Sequence, residues 1–216
     1  MKTTIIGAGN MGRGIGSRMV TGGHSVTVID RNPESAEKLA KELRLVAKKG
    51  AVVNTSTLDS AELGDVVVLA VWYGVNLELA KTLGSRLNGK IVVEISNPLN
   101  STYDGLVTEP GTSSAEELAK VVPAGAKVVK AFNTTFASTL VAGQVGGVPL
   151  DVFIAGDDIN AKQKVSQLIT DGGLVPVDTG DLHRARQLED LAMLGIVLQM
   201  KHNLGFSTGW KLTQNN

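Results

Sequence analysis

Short apolar runs, many of them β-branched, recur along the chain: TTIIG (3–7), SVTVID (25–30), AVVN (51–54), DVVVLAV (65–71), KIVVEIS (90–96), AKVVKAF (126–132), DVFIAG (151–156) and LVPVD (174–178). Each has the length of a strand and ends in turn-forming residues. Between them the period changes. Residues 10–22, 34–48, 76–87 and 158–170 space their apolar positions as helices do, and Ala36, Leu39, Ala40, Leu43 and Ala47 fall on one stripe. Runs such as DVVVLAV are apolar nearly throughout, as strands are when helices cover both faces of a parallel sheet. The pattern predicts an α/β fold, a Rossmann-type doubly wound, mostly parallel sheet.

The last segment breaks the alternation. Residues 184–205 place Leu188, Leu191, Ala192, Leu194, Gly195 and Leu198 on a helix of about five turns, and no strand follows it. The reading is therefore an NAD(P)-binding domain with its sheet extension over 1–180 and a small C-terminal helical portion over 181–216. Capping the sheet and packing against a second copy are both compatible with that helix.

The segment IIGAGNMGRGIGSRM carries Gly7, Gly9 and Gly12 as G-x-G-x-x-G between a strand and a helix. The first glycine permits a tight turn, the second lets a pyrophosphate approach the backbone, and the third lets helix and strand pack closely. The N–H groups at the start of the helix, with their partial positive charge, suit phosphate oxygens. Gly7, Ala8, Gly9, Asn10, Met11 and Gly12 are thus candidates for the pyrophosphate. Asp30, Arg31 and Asn32, at the end of the second strand, are candidates for the adenosine ribose.

Ligands of open parallel sheets sit outside the carboxyl ends of the strands, near the point where strand order reverses. That nominates the loops AVWYG, ISNPLN and AFNTTFAST. Ala70, Val71 and Trp72 would flank the cofactor, and Trp72 and Tyr73 would cover a flat ring or simply pack. The side-chain amides of Asn97 and Asn133 can both donate and accept, so they suit a nicotinamide amide or a substrate carbonyl; capping a turn is the competing role.

Composition narrows the chemistry. Hydrophobic residues make up 43% and charged residues 19%, and 21 basic side chains balance 21 acidic ones, so neither nucleic acid nor a membrane is expected as a partner. There is no cysteine, and none of the three histidines sits in a metal-binding motif, so no metal site is expected. His24 reads as a surface loop residue. Because MKTTIIGAGN has a glycine turn where a signal peptide would carry its apolar core, the expected location is the cytoplasm. Lys130 and Glu94 fall on strands and are assigned no catalytic role. Hydride passed directly between a nicotinamide and another flat ring needs position more than proton transfer, so no catalytic residue is named.

GAGNMGRGIGSRMVTGGHSVTV, KIVVEISNPLN, SSAEELAKVVPAGAKVVKAFNTT, DVFIAGDD and GLVPVDTGDLHRARQLEDL together resemble the NADP oxidoreductases dependent on the deazaflavin coenzyme F420. They are also similar to the cytosolic domain of the six-transmembrane ferric reductases. The resemblance implies NADP at the glycine loop, hydride exchange with a flavin-like ring and a homodimer. Deazaflavin-dependent members tend to carry histidine at the position of Asn133 and proline at that of Phe136, so a flavin, coenzyme F420 or a small carbonyl or imine compound stand open as the acceptor.

The same family usually has serine where this chain has Asp30 and a basic residue near Ser35, while Arg31 is retained. A carboxylate about 5 Å from a 2′-phosphate is repulsive by roughly 3 kcal/mol per unit charge pair at an intermediate dielectric, which favours NAD. Arg31 and the resemblance favour NADP, and NADP is the reading adopted. The alternative function is an NAD(P)H-binding redox-sensing module without turnover.

Overall fold

The computed structural model describes residues 1–214. In chain order the first half comprises β1 (Lys2–Ile6), α1 (Asn10–Thr21), β2 (Ser25–Ile29), α2 (Pro33–Val46), β3 (Val53–Ser56), β4 (Val66–Leu69), α3 (Tyr73–Leu83) and β5 (Ile91–Glu94). Then come α4 (Ser114–Val121), β6 (Lys127–Lys130), α5 (Ala137–Ala142), β7 (Gln144–Val145), β8 (Val148–Pro149), β9 (Asp151–Ile154), α6 (Ile159–Asp171), β10 (Val175–Asp178) and α7 (Ala185–His202).

The first six strands form one parallel sheet in the order β3-β2-β1-β4-β5-β6. Strand order reverses between β1 and β4, the crevice where doubly wound folds bind dinucleotides. The parallel pair β9–β10 extends this sheet at its β6 edge through an antiparallel bridge, in which Lys130 and Ala155 exchange backbone hydrogen bonds of 2.8 and 3.0 Å.

The apolar runs are explained by cover on both faces. Ile5, Val28, Val66, Val68 and Val93 point to one side, against α1, α2 and α6; Ile6, Val67, Leu69 and Val92 point to the other, against α3 and α4. One region lacks this cover. The β3–β4 connection contains no helix, and a polar groove of about 640 Å³ lies across β1, β2 and β3, lined by Ser25, Thr27, Asn54 and Ser56 among others. It touches none of the glycine-loop residues.

The strand expected at 51–54 forms two residues later, where Val53 pairs with Val26. The helix expected at 76–87 starts at Tyr73 and ends at Leu83, with a 3₁₀ turn over Gly84–Leu87. Three features were not anticipated: α4, α5 and the β7–β8 hairpin. His24 is buried rather than on a surface loop, because the start of β2 meets the end of α6. Its ring bridges the Met1 amino group and Asp171, each at 3.0 Å, and burial lowers its pKa. Among the described residues, no helix is long and apolar enough to cross a membrane.

Candidate functional site

The glycine loop follows from three different spatial demands. Gly7 has φ +111°, and a Cβ there would stand 2.3 Å from the carbonyl oxygen of Ala70, so only glycine lets the loop lie against the end of β4. A Cβ on Gly12 would come within 2.0 Å of the Gly7 carbonyl oxygen, which explains how closely α1 returns over β1. Around Gly9 a Cβ would meet nothing within 4 Å. Here the missing side chain leaves open space in front of the helix.

Gly9 is also the N-cap of α1, and it supplies no side-chain cap; the first turn holds no acid. The N–H groups of Asn10, Met11 and Gly12 are therefore free for an anion, which is the usual use of an uncapped helix start beside a glycine turn. By contrast α2 is fully capped: Asn32 Oδ1 accepts from Glu34 N at 2.9 Å, and Pro33 opens the helix.

Asp30 joins these two features. One carboxylate oxygen accepts from Ala8 N at 2.7 Å and the other from Asn32 N at 2.9 Å, so the end of β2 is clamped to the glycine loop. The sequence reading gave Asp30 only a ligand role; this local role was missed. Arg31, next in the chain, is exposed. Gly7, Ala8, Asp30, Asn32, Ala70 and Val71 are brought together. Trp72 is not part of this cluster: it caps the start of α3 and its side chain is 82% exposed. Its neighbour Tyr73 donates to Glu117 at 2.7 Å, and burial together with that bond pushes its pKa up to about 12.

At the carboxyl ends of β5 and β6, Asn97 and Asn133 are paired. Asn97 Nδ2 donates to the Asn133 carbonyl at 3.0 Å, and Asn133 Nδ2 donates to Asn97 Oδ1 and to the Leu188 carbonyl, both at 2.9 Å. Asn133 is buried, yet its Oδ1 has no partner among the described residues. A buried unsatisfied acceptor is costly, by about 1–3 kcal/mol, unless a ligand supplies a donor. Phe132, just before it, is buried with φ +64°, a left-handed conformation that costs a bulky residue on the order of 1–3 kcal/mol. The strain turns the chain so that Asn133 faces back toward β5.

Beneath this pair lies a cluster that sequence reasoning left unassigned. Glu94 and Lys130 are register partners on β5 and β6, and both are fully buried together with Glu189 from α7. Lys130 Nζ donates to Glu94 (2.5 Å), Glu189 (2.6 Å) and the Ser96 carbonyl (2.6 Å). Glu94 also accepts from Ser96 N, the Ser96 hydroxyl and Asn76 Nδ2, while Glu189 accepts from Ser114 N at the start of α4. Two carboxylates share one ammonium, and burial raises the pKa of Glu189 to about 7. The signal in the sequence was Glu94 and Lys130 at the carboxyl ends of two runs, KIVVE and KVVK, whose middles are apolar.

Strand order, crevice and glycine loop define a Rossmann-type fold, the class in which such a crevice commonly holds a dinucleotide. Residues 2–98, from β1 to just past β5, match the family described as NADP oxidoreductase coenzyme F420-dependent. Similarity continues beyond that segment. The chain is 26% identical over 213 residues to the F420-dependent NADP reductase of Methanothermobacter thermautotrophicus, covering 94% of this chain and 91% of that protein. A solved structure of a putative F420-dependent NADP reductase from Arthrobacter superposes with a TM-score of 0.82 at 28% identity, covering 99% and 100% of the two chains. Metalloreductase STEAP3 of Rattus norvegicus is 34% identical over 192 residues, 89% of this chain. This chain spans only about a third of the metalloreductases it matches, 36% in that case.

Proposed function

We propose that the chain is an oxidoreductase that binds NADP(H) along the carboxyl edge of its sheet. It would pass a hydride between the nicotinamide and a flavin-like or deazaflavin ring, or a small carbonyl or imine acceptor. The observation that carries this reading is the uncapped start of α1 facing the open space at Gly9, beside the strand-order switch. The N–H groups of Asn10, Met11 and Gly12 suit the pyrophosphate, and Gly7 and Ala8 form the floor of the turn. Asp30, Arg31 and Asn32 suit the adenosine ribose, with Arg31 placed for a 2′-phosphate. Ala70 and Val71 border the path toward the nicotinamide.

The residues at the other end also fit the cofactor. The unpaired Asn133 Oδ1 is an acceptor of the kind a carboxamide N–H requires, and the Asn97 amide holds Asn133 in place. NADP(H), when bound, supplies a nicotinamide ring that gives or takes a hydride. The chain's own part is to fix that ring and the acceptor close together and to keep water from between them.

Gly9→Asp tests the reading. Since a Cβ at Gly9 meets open space, the fold should hold while a carboxylate enters the anion cradle. NADPH affinity should fall by at least about 100-fold, or about 2.7 kcal/mol, with the melting temperature unchanged. Native binding in this variant would remove the proposed site. Stopped-flow oxidation of NADPH against flavins, deazaflavin, quinones, carbonyls and imines would then identify the acceptor; tight binding with no oxidation by any of them would replace turnover with sensing.

The chain is further proposed to act as a homodimer. α7 buries Ala185, Leu188, Ala192 and Gly195 but leaves Leu194 49% exposed, with the half-buried Val197 and Leu198 one turn further on, a second apolar face suited to another copy. Leu194→Glu should shift the mass measured by light scattering from dimer to monomer.

A further inference from the structure

Glu94, Lys130 and Glu189 do no work in the hydride-transfer proposal, yet each lies within three residues of a group that holds the Asn97–Asn133 pair. Glu94 grips Ser96, the residue before Asn97, through the Ser96 N–H and hydroxyl. Lys130 grips the Ser96 carbonyl and is separated from Asn133 only by Ala131 and the left-handed Phe132. Glu189 follows Leu188, whose carbonyl accepts from Asn133. Three elements, β5, β6 and α7, thus place one buried charge each at the base of one anchor of the amide pair.

We infer that Glu94, Lys130 and Glu189 are positioning residues that fix Asn97 and Asn133 for the nicotinamide end of the cofactor. The inference rests on the cofactor site proposed above. An apolar filling would close the same volume, and buried ion pairs are often replaceable by apolar residues without loss of stability. Apolar packing is non-directional, however. The ammonium of Lys130 spends its three N–H bonds on Glu94, Glu189 and the Ser96 carbonyl, which sets the direction of the Ser96–Asn97 peptide. The Glu189 carboxylate in turn takes Ser114 N, so α4 and α7 are locked to the same point.

The test compares two probes by calorimetry: NADPH and 2′-phospho-ADP-ribose, which lacks the nicotinamide. The triple variant Glu94→Gln, Lys130→Met, Glu189→Gln nearly conserves volume and strands no buried charge. It should bind the fragment within about twofold of the native protein and NADPH about tenfold more weakly. That loss should vanish in an Asn133→Ala background, because the triad acts through that amide.

Equal losses for both probes would mean general damage and would overturn the inference, as would no loss at all. A native protein that binds both probes equally would remove the nicotinamide assignment and the inference with it. If the triple variant does not fold, Glu94→Gln alone serves. It leaves one ammonium facing one carboxylate and turns an amide N–H toward the Lys130 donor on one side or the Ser96 and Asn76 donors on the other. The same NADPH-selective loss is expected, and undiminished NADPH affinity in this variant overturns the proposal.

Discussion

The two ends of the proposed cofactor groove are built from different materials. At the β1–β2 end the walls are backbone: free N–H groups of α1, a glycine turn pressed on Ala70, and a carboxylate from Asp30 spent on two main-chain donors. At the β5–β6 end they are side chains: two amides tied to each other and standing on three fully buried charges. The first kind of site needs side chains to be absent at fixed places, and the second needs them present and restrained. A single added methyl group at Gly7 or Gly12 should therefore wreck the first, whereas the second should respond to charge.

The largest expected effect is at Gly12. Gly12→Ala places a methyl group 2.0 Å from the Gly7 carbonyl oxygen, where backbone must move, so a stability loss above about 3 kcal/mol or failure to fold is expected. Gly9→Ala, in the same loop, has open space and should leave the unfolding free energy measured in urea within about 1 kcal/mol of native. If both variants unfold alike, the loop is not divided into a packing glycine and an approach glycine.

Charge dependence should appear at the opposite end. Glu189 is raised from the ordinary carboxylate value of 4.5 to about 7, chiefly by burial, with Glu94 adding to the rise and Lys130 opposing it. Between those two values the folded chain holds a proton on Glu189 that the unfolded chain has released. Its contribution to stability is therefore present below pH 4.5, declines as pH rises, and is gone above about 7. Relative to Glu189→Gln, the native protein should lose up to about 3 kcal/mol between pH 4.5 and pH 8 in urea titrations. Parallel curves for the two proteins would show that the cluster carries no excess proton.

This division also accounts for what the amino-acid sequence makes legible. Each job in the glycine loop excludes a side chain at a set spacing, so the loop and the strand–helix alternation are readable from local pattern, and the six-stranded parallel sheet follows. The buried cluster joins residues 94, 130 and 189, and no local pattern links them. The charges in KIVVE and KVVK announce that some partner exists, but Glu189 looks like any acid on a helix. His24 is the same case, since its partners are Asp171 and the distant Met1 amino group. α4 was within reach: Ser113 and Glu116 have capping-box spacing, and Ser113 does accept from Glu116 N. α5 and the β7–β8 hairpin are too short, at 6 and 2 residues per element, for periodicity to register.

The smallest effect expected, and the one that tests whether the adenosine end is backbone alone, concerns Arg31. Asp30 has each carboxylate oxygen engaged by a main-chain N–H, which offsets part of the repulsion it would exert on a 2′-phosphate. Arg31 is exposed, so a phosphate contact there would be solvent-screened and worth about 1.4 kcal/mol, or tenfold. Arg31→Ala should accordingly lower the ratio of NADPH to NADH affinity by about tenfold at low salt and by less at high salt, with NADH binding itself unchanged. An unchanged ratio would take Arg31 out of the account and leave this end built of backbone only. A fall in both affinities would mean that Arg31 holds the adenine or ribose that the two cofactors share, and that the discrimination between them lies in Asp30.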